Sequence, residues 1–192
     1  VFHKCVPWCA AVHRRRLTAG EVEIVQDVFA DAVDVTAVRV HNHGYPLLAG
    51  RQPANMAVTP NGQLYFPAPS YQADFSAASA LVRRWFVHEM VHVWQHQLGY
   101  PVALRGAMRW TVRYTYALDP SRRLADYDME QQGEVVGDYY YLRLLGHASV
   151  SRGSQTHTRH EPYGQVLERF LAHPTDRANL PSRWDRTVRR SR

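Results

Sequence analysis

Trp85-Phe86-Val87-His88-Glu89-Met90-Val91-His92-Val93-Trp94-Gln95 is the stretch from which the rest of this chain is interpreted. On an α-helix, residues four apart are separated by about 6 Å along the axis and roughly 40° around it. His88 and His92 therefore project from one face, one above the other, and both imidazoles can reach a single metal ion. Glu89, about 100° further round, is placed to reach a water on that ion and take its proton. The spacing is H-E-x-x-H.

The flanking residues predict burial. Leu81, Trp85, Val91 and Leu98, with Phe86, Met90 and Trp94 alongside, are apolar, and polar groups buried among them must be paired or bound to a metal. That context disfavours the bland alternative of two hydrogen-bonded core histidines. Asp74 or Ser76 is expected to cap the helix, which runs to Leu98. Gly99-Tyr100-Pro101 stops it through a left-handed residue and a proline that cannot continue.

A catalytic zinc keeps three protein ligands and one open position. After His92 the chain reads Val93-Trp94-Gln95-His96-Gln97-Leu98-Gly99, which lacks the short extension H-E-x-x-H-x-x-G-x-x-H. A distant carboxylate is needed. The segment from about 124 to 146 is expected to form a second helix ending at Gly146, with Glu130, Glu134 and Asp138 at four-residue spacing. Glu130 as ligand with Glu134 supporting a histidine from behind, and Glu134 as ligand with Asp138 in support, are both compatible with that spacing. Gly133 and Gly137 share the face of Glu130, Glu134 and Tyr141. Each glycine costs about 1 kcal/mol relative to alanine inside a helix, so close approach of another helix or of the metal is expected to offset the loss. A solvated acidic stripe is the rival, and glycines serve it poorly.

Upstream, Leu17-Thr18-Ala19-Gly20-Glu21-Val22 has the form of a capping box with Thr18 as cap, and Leu17 and Val22 as a hydrophobic staple. A helix from about 18 to 32 follows, with Val22, Val25, Val28, Phe29 and Ala32 on its apolar face. The β-branched run from 35 to 41 predicts a strand. His41, Asn42 and His43 stand at its end without metal-ligand spacing. Residues 56–59 and 63–66, joined through Pro60-Asn61-Gly62, predict a β-hairpin. An edge strand there could hold an extended peptide across the metal by main-chain hydrogen bonds. Residues 103–118 are ambiguous, the polar stretch 149–160 carries His157 and His160, and Pro162 to Phe170 predicts a last short helix.

With 192 residues and 45% hydrophobic content, one globular domain is expected. No run approaches the roughly 18 apolar residues of a membrane span, and the start, without an initiator methionine or signal-peptide layout, suggests a fragment or processed chain. The net charge is +6 and the pI about 9.6, with Lys4 the only lysine. Arg183, Arg186, Arg189, Arg190 and Arg192 against Asp185 concentrate charge in a tail expected to be solvated and flexible over 173–192. No nucleic-acid motif accompanies the arginines, so no specific nucleic-acid partner is expected. Cys5 and Cys9 lie in a basic segment, 1–16, and form a C-x3-C pair compatible with a disulfide or with free thiols.

The chain resembles the gluzincin branch of zinc metallopeptidases, in which H-E-x-x-H is followed by E-x-x-x-D on the next helix; Glu130-Gln131-Gln132-Gly133-Glu134 matches with Glu in place of Asp. It is more closely similar to the zincin-like domains found with valine-glycine repeat and Rhs-element proteins of bacterial type VI secretion. That resemblance covers Leu17 to Glu21, Val38 to His41, Met56 to Phe66, Asp74 to Ser76, His88 to Gln95 and Glu130 to Gln132, hence most of residues 17 to 145. It implies an α+β, zincin-like domain over 17–172, with a small mixed or antiparallel sheet packed on the active-site helix and a ligand-bearing helix following.

The same resemblance implies Zn2+ held by His88, His92 and Glu130, and Glu89 as the base that passes the water's proton to the leaving amine. Tyr127, Tyr140, His157 and His160 are unranked candidates for stabilising the oxyanion. The expected protein is a metallopeptidase secreted or injected into a competing cell, with a secretion-apparatus protein as partner. A zinc amidase or endopeptidase acting on peptidoglycan peptides shares all of this chemistry. A non-catalytic zinc-stabilised module does not, since a purely structural site has no use for Glu89.

Overall fold

The computed structural model describes residues 13–49, 51–107, 114–145, 150–152, 155–157 and 161–182. Cys5, Cys9, Gly146, His160 and the arginines from 183 onward lie outside these residues.

The chain opens on a short strand, β1 (Arg14–Arg15), which pairs antiparallel with β2 (Val40–His41); β2 in turn pairs in parallel with β3 (Leu64–Tyr65). The sheet is therefore mixed, in the order β1-β2-β3. The basic segment expected to precede the domain belongs to it from Arg14 onward. Arg15 forms a two-pronged ion pair with the fully buried Glu21, at 2.7 Å on each prong, and its Nε donates to the Tyr71 hydroxyl.

Helix α1 (Ala19–Phe29) begins at the predicted capping box, with Glu21 N–H donating to Thr18 Oγ1 and Thr18 N–H to Glu21 Oε2. It ends before the expected residue 32, because Ala30 takes a positive φ of 49° that turns the chain to bury Ala32 and Val33. The strand expected over 35–41 shrinks to β2. Asp34 Oδ1 accepts from both the Thr36 N–H and the Thr36 hydroxyl, and this local side-chain turn competes with an extended ladder.

The predicted hairpin survives as one antiparallel bridge, Val58 to Tyr65. Leu64 and Phe66 donate instead to Arg39 and His41, so the ladder of β3 runs to β2. Gly62 supplies the expected positive φ, 74°. The outward backbone of Tyr65 is thus already occupied by Val58.

Helix α2 (Ala80–Gln97) is capped by Ser79, whose Oγ accepts from Val82 N–H, and not by Asp74 or Ser76, which bond to each other. Phe86, Val87, Met90, Val91, Val93 and Trp94 are fully buried, whereas Leu81 at the first turn is 63% exposed. Gly99, at φ 86°, stops the helix as predicted. A short helix, α3 (Val102–Ala107), follows.

Helix α4 (Met129–Leu145), preceded by a tight turn at Leu124–Asp126, lies along α2. Its glycines permit the approach: a Cβ at Gly133 would stand 2.7 Å from the His88 ring, and one at Gly137 3.3 Å from the Arg84 carbonyl oxygen. Within the polar stretch, β4 (Val150–Arg152) and β5 (Gln155–His157) pair antiparallel. Helix α5 (Glu161–Ala172) closes the core through Tyr163, Val166, Leu167 and Phe170, with Phe170 edge-on to Phe29 and Trp94. The expected flexible tail does not start at residue 173: Trp94 Nε1 donates to Pro174 O, Gln132 Nε2 to Asn179 O, and Ser182 N–H to Ala125 O. Packing continues to Ser182. The fold is α+β, and among the described residues no helix is long and apolar enough to cross a membrane.

Candidate metal centre

The α2 stripe Arg84, His88, His92 faces the α4 stripe Glu130, Glu134, Asp138 across the gap opened by the two glycines. His88 Nε2, His92 Nε2 and Glu130 Oε2 form a triangle with every side 3.2 Å. Ligand atoms held about 2.0–2.1 Å from a tetrahedral zinc lie about 3.3 Å from one another. The donor set, two imidazole nitrogens and one carboxylate oxygen, suits that ion. Among the described residues it is the one group of three or more His, Cys, Asp or Glu side chains that converges in this way.

Electrostatics point the same way. Burial alone would lower the pKa of His88, but the carboxylates of Glu130, Glu134 and Glu89 outweigh it and raise the value to about 10. Burial likewise opposes charge on His92, and Glu130 again outweighs it and raises the pKa. Burial would raise Glu130, yet His92 and His88 hold it well below the usual carboxylate range. A pocket that raises the proton affinity of adjacent imidazoles is short of positive charge, and a divalent cation can supply it.

Each histidine is addressed from behind. His92 Nδ1 lies 2.9 Å from Gln95 Oε1; Gln95 Nε2 in turn donates to Gln132 Oε1 and to Met129 O. His88 Nδ1 lies 3.3 Å from Glu134 Oε1 and has no aligned hydrogen-bond partner among the described residues. With its Nε2 given to a metal, His88 would carry its proton on Nδ1, where Glu134 would be the acceptor. Glu134 therefore stands behind His88 and outside the triangle. Burial pushes its pKa up, but His88 and Arg84 prevail and lower it to about 2.

Arg84 ties the layer together, donating to Glu134 Oε2 and Asp138 Oδ1 at 2.5 Å each. Asp138 also accepts from the Tyr116 hydroxyl, which lies 2.7 Å from that of Tyr163. Glu89, buried beside the histidines, accepts a 2.7 Å bond from the Thr59 hydroxyl.

The structure does not bring the two tyrosine candidates for oxyanion stabilisation to this cluster. The Tyr127 hydroxyl donates to Ala117 O and accepts from Asp119 N–H, with Arg122 stacked 4.2 Å over the ring. Tyr140 lines a separate cavity of about 360 Å³ with Glu23, Ile24, Asp27 and Arg83. His157 belongs to β5, and its side chain, like His160, is outside the described residues. His41 stacks on Tyr65 at 4.3 Å and bonds Gln63, and it is not among the converging ligand atoms.

Sequence reasoning missed Arg84, Gln95, Tyr116 and Thr59. Arg84 was detectable as the residue one helical turn before His88 on the same stripe, and Gln95 as the residue three after His92. Thr59 and Tyr116 carry no such signal.

No family model matches the chain. It is 38% identical over 145 residues to the type VI secretion system spike protein VgrG2b of Pseudomonas aeruginosa, a match covering 71% of this chain and 14% of that protein's length. The solved effector domain of Pseudomonas aeruginosa VgrG2b superposes with a TM-score of 0.62 at 32% identity, covering 82% of each chain.

Proposed function

Because this chain belongs to the family of the Pseudomonas aeruginosa VgrG2b effector domain, we propose that it is a zinc-dependent peptide-bond hydrolase, zincin-like in fold, delivered as an effector by a type VI secretion apparatus. The observation that carries the hydrolytic part is the 3.2 Å triangle of His88, His92 and Glu130 with Glu89 next to its first ligand. Three ligands leave one coordination position for chemistry, and a base beside it has no structural use.

When bound, zinc supplies Lewis acidity, polarising a carbonyl and lowering the pKa of water to about 7. The chain's own residues do the rest. His88, His92 and Glu130 would hold the ion, and Gln95 and Glu134 would fix the ring orientations. Glu89 takes the proton of the attacking water and passes it to the leaving amine. Its burial beside Thr59 and α2 keeps bulk water from competing for that proton.

The substrate class is a peptide or protein, with the cross-linking peptides of peptidoglycan among the candidates for an effector acting in a target cell or its periplasm. The test is purified protein with zinc, incubated with denatured casein and with cell-wall sacculi, beside Glu89→Gln. Wild type should release new amino termini from one of them, and Glu89→Gln should retain zinc but lose turnover. A Glu89→Gln protein as active as wild type would remove Glu89 as the base.

A further inference from the structure

We propose that Thr59 is a positioning residue for Glu89: its hydroxyl anchors one carboxylate oxygen and leaves the other free to take the proton. The inference rests on the hydrolase reading above.

Thr59 Oγ1 donates to Glu89 Oε2 at 2.7 Å, and the two residues are only 4% and 5% exposed. They come from different walls of the site. Glu89 rides on α2, while Thr59 sits on the segment that runs outside β3. That segment is pinned to β3 immediately before Thr59. Val58 and Tyr65 exchange both backbone hydrogen bonds, and Gln52 Nε2 donates to Met56 O and Tyr65 O. Pro60 follows with its φ fixed, and the β-branched Thr59 side chain has few χ1 rotamers available.

A base works only from the geometry in which it reaches the proton, so a buried carboxylate that must take and return one gains from being held in a single orientation. A cation in the place of Thr59 would hold the carboxylate but weaken it as a base. A hydroxyl holds it without a net charge. It also offers one donor and two acceptor lone pairs, so it can keep contact with Glu89 when the carboxylate carries the proton as well as when it does not. The bond fixes Oε2, which leaves Oε1 as the oxygen presented for proton transfer.

The test compares Thr59→Val, which keeps the shape and deletes the donor, with Thr59→Ser, which keeps the donor. Zinc content, melting temperature, kcat and KM are measured on each. Thr59→Val should lose about 10-fold to 100-fold in kcat, at or below the lower end of the roughly 100-fold to 10,000-fold that positioned proton transfer contributes, because Glu89 itself remains, at unchanged KM and zinc content. Thr59→Ser should restore kcat to within about threefold of wild type, since it keeps the donor. Thr59→Val with wild-type kcat, or Thr59→Ser as impaired as Thr59→Val, overturns this inference alone. A wild-type protein without turnover on any substrate overturns the hydrolase reading and this one with it.

Discussion

Gly133→Ala tests the helix approach on which the metal centre depends. A Cβ there would stand 2.7 Å from His88 Cε1, 2.8 Å from Nδ1 and 3.0 Å from Nε2. Relaxed carbon contacts lie at about 3.5–4.0 Å, so roughly 0.8 Å of separation must open. The ring has little room to give, with Nε2 fixed in the triangle and Nδ1 against a Glu134 that Arg84 holds. Alanine recovers about 0.8–1.0 kcal/mol of helix propensity, while overpacking costs about 1–3 kcal/mol. The net effect on the metal-free fold is therefore small, about 0–2 kcal/mol destabilising. The centre suffers more. Losing a group behind a ligand costs about 10-fold to 100-fold in affinity, and displacing the ligand itself should cost at least the upper end. Gly137→Ala is the internal control: its Cβ would be 3.3 Å from the Arg84 carbonyl oxygen, needing only a few tenths of an ångström. It should stay within about 1 kcal/mol in stability and hold wild-type zinc affinity. Competitive zinc titration against a chromophoric chelator, with thermal unfolding of the same samples, reads both quantities. A Gly133→Ala protein that binds zinc within threefold of wild type would refute the steric argument.

Glu130→Ala should abolish tight zinc binding, whereas Glu134→Ala should cost about 10-fold to 100-fold; titrations showing Glu134→Ala to be the more damaging would move the ligand one helical turn along. Arg84→Ala leaves Glu134 and Asp138 facing each other in a buried layer and should destabilise the fold by about 3–5 kcal/mol, seen as a melting temperature lower by about 6–20 °C; an unchanged melting temperature would show that the charges rearrange freely. Zinc binding should release protons at pH 7, because the metal-free His88 holds its proton up to about pH 10 and a ligating imidazole nitrogen cannot keep one. Affinity therefore rises with pH towards that value and falls as pH drops. Calorimetry in buffers of different ionisation enthalpy counts the protons, and a count of zero would contradict the charge balance of the site.

What could be read before the fold was known is what depends on local periodicity. The four-residue spacing of His88 and His92, the capping box at Thr18 and Glu21, and the stop at Gly99 each involve residues within one helical turn or a neighbouring turn. The glycines of α4 signalled a close neighbour because an uncompensated helix-interior glycine costs stability. Local competition also explains where such reading overshot: the side-chain turn at Asp34 and Thr36 consumed most of the expected strand, and Ser79 displaced Asp74 and Ser76 as cap.

By itself, then, the sequence determined the helix that carries His88, Glu89 and His92 and the second acidic helix, while the α+β class came from the family resemblance. Spacing alone left Glu130 and Glu134 equivalent, with the family resemblance favouring Glu130, since both lie on one stripe of α4 and spacing along a helix says nothing about how far it slides along its neighbour. Only the tertiary structure sets them apart in space, because the position of α4 against α2 puts Glu130 at the Nε2 atoms of both histidines and Glu134 near Nδ1 of His88. The same holds for Arg84 meeting Asp138 and for Thr59 meeting Glu89, contacts that span 54 and 30 residues. Such pairs exist because the burial of Phe86, Met90, Trp94 and their neighbours drives separate elements together, and hydrophobic burial is non-directional, so the chain's local pattern cannot specify which polar atoms end up facing one another.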